Sequence, residues 1–181
     1  MTAQQIALLA GAAVLVFWAV GAHNRLVALR NAIGQAWAKV DEALRQRQAG
    51  ADPLLAALRA PLAAEQGALD TWAAALAEAA RAAATLGGKP VVAEHASAWV
   101  AAETTLAAAA SRVFALLEQH AELRAQDDVS ASVTAWREAG TRLGFARQLF
   151  NEAARAYNEA IATFPTRLLV GVFRYSAAGR L

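Results

Sequence analysis

From Val129 a large apolar or aromatic residue recurs every seventh position, at Trp136, Leu143, Phe150, Tyr157 and Phe164, without exception. A seven-residue repeat keeps one stripe of a helix facing a partner only if helices pack lengthwise with a slight left-handed wind. The same spacing places Val92, Trp99, Leu106, Val113 and His120 on one face of an earlier segment. Between Leu55 and Leu86 apolar positions alternate by three and four through Leu58, Leu62, Leu69, Trp72, Leu76, Ala79 and Ala83, interrupted only by Glu65. A further seam runs through Leu26, Ile33, Trp37, Val40 and Leu44. These are stripes of helices, and strands, whose side chains alternate by two, do not produce them.

Composition agrees. Of 181 residues, 57% are apolar, but 52 are alanine, the strongest helix former, so the figure reports helix propensity more than greasiness. The expected fold is all-α, an antiparallel up-down bundle of four long helices with coiled-coil-like packing. Gly50-Ala51-Asp52-Pro53 reads as a stop and restart, with Gly50 ending one helix and Asp52 and Pro53 opening the next. Pro61 then kinks or restarts the second helix, Gly87-Gly88-Lys89-Pro90 ends it, and Asp127 and Asp128 suit the cap of the fourth. Helices two to four would each span about 35 residues, or roughly 50 Å.

The first residues differ in kind. Ile6 to Ala22 contains no charged side chain, and Arg25 is the first charge. Ile6, Leu9, Val14 and Phe17 would face lipid, with Trp18 suited to headgroup level. A cleaved signal peptide would need a basic start, and Met1 to Gln5 has no Lys or Arg. Residues 1–24 are therefore expected to be a transmembrane anchor, 25–165 the bundle, and 166–181 an apolar and basic tail. Arg25 and Arg30 flank the anchor on its C-terminal side, which places the bundle in the cytoplasm and the N-terminus outside. The last helix should return toward the bilayer. The run Arg167 to Tyr175 then either lies at the lipid surface or packs back on the bundle.

Motifs for chemistry are sparse. There is no cysteine, hence no thiol nucleophile or thiolate zinc site. Glu94-His95 lacks the second histidine a helical zinc site requires, and in a helix His120 would point away from Glu118 and Glu122. Carboxylates such as Glu78, Glu103 and Glu138 read as exposed faces. A net charge of +2 gives no reason to expect nucleic acid. The expectation is a non-enzymatic protein with no cofactor, metal or catalytic residue, interacting with the lipid bilayer and with a membrane or cytoplasmic protein; self-association is open. The alternative is a metal-binding or enzymatic bundle using Glu65, His95 or His120. One polar feature stands out: Phe150-Asn151 and Tyr157-Asn158 repeat an aromatic–asparagine pair seven residues apart, beside Arg147. This suggests a hydrogen-bond layer, or a ligand or partner site, with Arg147 paired to Glu65.

The opening run His23-Asn24-Arg25-Leu26, with Asn31, Ala36-Trp37, Asp41 and Leu44, combines with a closing element. That element is Ala146-Arg147-Gln148-Leu149-Phe150-Asn151, then Tyr157-Asn158, then Phe164-Pro165. Together they resemble the LemA family of bacterial membrane proteins over nearly the whole chain. Asn24, Leu26, Asn31, Trp37, Arg147, Phe150, Asn151, Tyr157, Asn158 and Pro165 carry the likeness. His23 and Phe150 stand where the family usually has tyrosine, and the family's tail after Phe173 is usually longer. The resemblance implies a short outside N-terminus, one anchor and a cytoplasmic antiparallel bundle. It implies no reaction.

Overall fold

The computed structural model describes residues 2–181, and they form an all-α bundle. Helix α1 runs Ala3–Arg59, a 3-10 turn occupies Ala63–Glu65, and α2 spans Gln66–Gly88. Then come α3 (Ala93–Gln119), the one-turn α4 (Ala121–Arg124), α5 (Asp127–Ala162) and the short α6 (Arg167–Phe173). A capping box starts α1: the Thr2 hydroxyl accepts from the Gln5 amide and the Gln5 side chain accepts from the Thr2 amide.

The break expected at residues 50–53 does not occur. Helix α1 continues through Pro53 for 57 residues, about 85 Å. Gly50 is buried there because α5 crosses closely. A Cβ at Gly50 would lie 3.0 Å from the Trp136 backbone nitrogen and 3.3 Å from Ala135 Cβ. The glycine thus serves close packing and not a helix end. Asp52 does not cap either, since its carboxylate accepts from the Gln48 side chain one turn back, at 2.6 Å. The interruption comes at Pro61. α1 ends at Arg59, Leu62 is buried with φ −103° and ψ 41°, and the chain reverses into α2. Pro61 therefore separates two helices, and α2 and α3 have 23 and 27 residues, shorter than expected. α5, at 36 residues, has the anticipated length, but its N-cap is Gln126, so Asp127 and Asp128 do not cap it and lie instead in its first turn, where the helix dipole favours acids.

The seam residues go where their spacing directs them. Trp72, Trp99, Leu106, Phe150 and Tyr157 are all nearly inaccessible. Leu44, Val92, His120 and Trp136 are half-buried, and Phe164 is 68% exposed, because α5 stops at Ala162 and its seam ends before that position. Two cores form. The distal one gathers Leu54, Leu58, Leu69, Trp72, Leu106 and Val113 near the α1–α2 turn. The proximal one gathers Leu26, Ile33, Trp37, Leu86, Trp99, Phe150 and Tyr157 near the start of the bundle. Trp37 meets Trp99 and Phe150 edge-on, and its indole lies over Gly87, where a Cβ would come within 2.8 Å of Nε1.

Helix neighbours are unequal. α1 packs chiefly along α5, α2 along α3, and α1 along part of α2, whereas α3 and α5 stand apart. Large side chains bridge that fourth seam. Phe114 and Trp136 meet across its distal part with ring centroids 6.1 Å apart, and Arg147 lies over the Trp99 ring at 5.3 Å near its middle. The proximal part is filled by the chain's last residues.

The N-terminal third of α1 has no such partners. The apolar window within it is 0% buried, with mean hydropathy 2.1. Ile6, Leu9, Val14 and Phe17 are 56–78% exposed, and Trp18 is half-buried. The same helix that buries Leu26 to Leu58 in the bundle thus extends beyond it as a bare apolar rod, a candidate membrane span.

Candidate functional site

Polar chemistry collects in two places, a pair inside the bundle and a groove at its proximal end. Inside, Arg47 of α1 and Glu103 of α3 form a two-pronged ion pair across the bundle, at 2.7 and 2.6 Å. Each residue is only 9% exposed. The guanidinium also lies over the Trp136 ring at 5.3 Å. Both residues interrupt their seams at regular spacing, Arg47 after Val40 and Leu44, Glu103 between Trp99 and Leu106. That regularity is the sequence signal that marks Glu103 as internal, although a carboxylate in an alanine-rich stretch reads as exposed. Arg47, Glu103 and Arg147 share a cavity of about 390 Å³ with Gly140, Gly144 and Val100.

Arg147 does not pair with Glu65. Glu65 sits in the distal turn, whereas Arg147 lies over Trp99 beside the mid-bundle cavity with Arg47 and Glu103. Among the described residues Arg147 has no carboxylate within ion-pair distance, and its recorded partner is the Trp99 ring.

At the proximal end the two asparagines of the repeat do the same thing twice. Asn158 Nδ2 donates to the Ala178 carbonyl at 2.9 Å, and its Oδ1 accepts from the Ala178 amide at 2.7 Å. Asn151 repeats both bonds with Leu181, each at 2.7 Å. Ala178 is buried, and Gly179 lies so close to α3 that a Cβ would come within 2.5 Å of Ala96 Cβ. Tyr175 begins this segment beside α1. Its hydroxyl is 2.9 Å from His23 Nδ1, and Arg30 lies over its ring at 5.8 Å. The segment is held on three helices.

The tail accordingly divides at Arg174, whose φ of 52° turns the chain. Before it, α6 buries Leu169 but exposes Leu168, with Phe173 packed on His23 at 4.9 Å. Phe164, Leu168 and Phe173 are exposed where α1 leaves the bundle. After it, Ala178 returns to the bundle. The last long helix therefore does come back to the base of the apolar rod.

The residues of the opening and closing runs mostly converge here. Leu26, Trp37, Phe150 and Tyr157 share the proximal core, Asn151 and Asn158 hold the tail, and Pro165 is half-buried in the turn before α6. Asn24 and Asn31 are instead exposed on α1. Burial raises the Tyr157 phenol above its ordinary value of 10.0, and the nearby Arg30 charge pulls it partly back.

His23 contacts Phe173 and Tyr175, and His95 on α3 is half-buried with its Nδ1 unpartnered among the described residues. Helix α3 ends at Gln119, so His120 falls between helices and its Nδ1 reaches the Glu122 carboxylate at 3.1 Å, contrary to the continuous-helix expectation. Glu122 is held below the usual carboxylate range, chiefly by a backbone hydrogen bond and then by His120. Glu118 turns to Arg124. No cluster of three metal-ligating side chains occurs among the described residues.

Fold and site together define an all-α bundle prolonged at one end by an exposed apolar helix, with a tail clamped beside its exit. Residues 36–180 match the LemA family model, and the chain belongs to the LemA family. The search of curated proteins finds no match.

Proposed function

We propose that the protein is an anchored, non-enzymatic interaction or scaffold protein of the bacterial cytoplasmic membrane, its bundle held at the cytoplasmic surface. The observation that carries this reading is the single uninterrupted α1, bare and apolar at one end and fully packed at the other. Without a break, whatever holds the rod also fixes the height and tilt of the bundle. Exposed Phe164, Leu168 and Phe173, with Arg167 and Arg174 beside them in sequence, suit a lipid interface around the exit point. The flanking arginines favour the cytoplasmic side. The interior ion pair and the asparagine clamp have their hydrogen-bonding groups engaged within the chain, which supports a binding scaffold over a reaction centre.

Alkaline extraction of membranes tests the anchor. The protein is expected to stay in the membrane pellet, and Leu9→Arg with Val14→Arg to shift it to the supernatant. Each charge in the hydrocarbon costs about 2.5–3.5 kcal/mol. Release of the unaltered protein by the alkaline wash would contradict the reading.

A further inference from the structure

The asparagine clamp has the geometry of a peptide-binding site whose occupant happens to be covalently attached. A carboxamide offers one donor and one acceptor side by side, the complement of one residue's carbonyl and amide in an extended chain. Asn158 uses both on Ala178, and Asn151 uses both on Leu181. The spacing fits in general terms. Seven residues of α-helix rise about 10.5 Å, and three residues of polyproline II chain advance about 9.3 Å while making one turn, which brings every third residue to the same face. A heptad pair of asparagines therefore reads every third residue of an extended peptide running antiparallel to α5. Because the four bonds all go to main chain, they specify direction and register but not side-chain identity. Side-chain selectivity comes from α3: the residue at Ala178 is buried, and the one at Gly179 has no room for a Cβ against Ala93 and Ala96.

The groove continues past the position of Leu181. α3 and α5 remain apart, and one turn further along them Val100, Glu103, Gly144 and Arg147 border the cavity of about 390 Å³. A peptide continuing past the position of Leu181 enters that cavity, where the Arg147 guanidinium suits a carboxylate.

We propose that the α3–α5 groove is a binding site for an extended segment of a partner protein. The segment has a small residue followed by glycine, with a carboxylate shortly after, and residues 175–181 fill the groove in cis until displaced. The proposal deepens the reading of the bundle as an interaction module. Attachment gives the tail an effective concentration on the order of millimolar, so a partner must compete with it.

Two measurements on the full-length protein in detergent micelles test this, with one synthetic probe, Tyr-Ser-Ala-Ala-Gly-Arg-Leu-Ala-Glu. In Gly179→Leu the tail is expelled by contact with α3, while the helices keep their circular dichroism. This variant is expected to bind the probe, and adding Asn151→Ala and Asn158→Ala to weaken binding at least about tenfold, since four hydrogen bonds are lost. A probe with leucine in place of its glycine should not bind, and Arg147→Met should weaken the original probe about threefold or more. In the second measurement, a dye on Ser176→Cys reports tail release by anisotropy in an otherwise unchanged chain. Millimolar probe is expected to raise its mobility toward that of the double asparagine variant. Failure of the probe to bind Gly179→Leu or to free the labelled tail would overturn the proposal, as would equal binding to the asparagine-lacking variant. None of these outcomes depends on membrane anchoring, which the extraction experiment tests separately.

Discussion

Glu103→Leu is expected to destabilise the protein by about 3–5 kcal/mol, because it leaves the Arg47 guanidinium charged and unpaired inside the bundle. Arg47 and Glu103 are each 9% exposed and face each other through two short bonds, so removing either one strips its partner of the compensation for lost hydration. The cavity beside them admits some water, which favours the lower end of that range. The pair as a whole is a different matter. Arg47→Met combined with Glu103→Leu should recover most or all of the loss, since apolar replacements of similar volume need no compensation. Urea unfolding of the full chain in micelles, followed by circular dichroism, measures both. A double variant as unstable as Glu103→Leu alone would mean that the pair specifies the packing itself. In that case the ion pair would set the register of α1 against α3, which are not close neighbours elsewhere.

Trp99→Ala should cost about as much, roughly 3–5 kcal/mol, by a different route. Trp99 is fully buried, meets Trp37 edge-on at 6.1 Å and carries Arg147 on its other contact surface at 5.3 Å. Truncation opens a cavity in the proximal core and removes the cation–π support of Arg147 together. The proximal core also anchors the tail through Ala178, so the loss should loosen residues 175–181 before global unfolding. A midpoint within about 0.5 kcal/mol of the unaltered protein would show that the two cores do not unfold as one unit.

What the sequence made legible was periodic. Every seventh residue from Val129 to Tyr157 lies on the bundle-facing side of α5, and the three-and-four run from Leu55 to Leu86 is buried apart from Glu65, which is half-buried. The helix boundaries were less legible, and for one reason. Gly50 and Pro53 carry the local signature of a stop, but a glycine under a crossing helix and a glycine ending one look alike in sequence. Local signals at Gly50 yielded to the packing of α5 across it, whereas Pro61 kept its local meaning because the chain must reverse there. The site followed the same division. The aromatic–asparagine repeat announced itself, and the proximal core assembled from residues that carried the family likeness. Its ligand could not be read in advance, because a main-chain segment of Ala-Ala-Gly has no side chain to advertise that asparagines hold it. The Arg47–Glu103 pair kept its seam spacing in sequence, but a charge in an alanine-rich stretch reads as exposed until the partner helix supplies the opposite charge.

On the proposed topology, one helix passes from lipid into the bundle core without a break, with the bundle on the cytoplasmic side. The chain has no cysteine, so single cysteines can be placed along it and tested with a membrane-impermeant maleimide in oriented vesicles. Val14→Cys lies in the bare apolar stretch, and Gly34→Cys lies on an exposed face of the same helix with open space around its Cβ. Val14→Cys is expected to stay unlabelled from either side until detergent is added, and Gly34→Cys to label only in inside-out vesicles. Ready labelling of Val14→Cys in intact vesicles, or labelling of Gly34→Cys from the outer face, would contradict this topology.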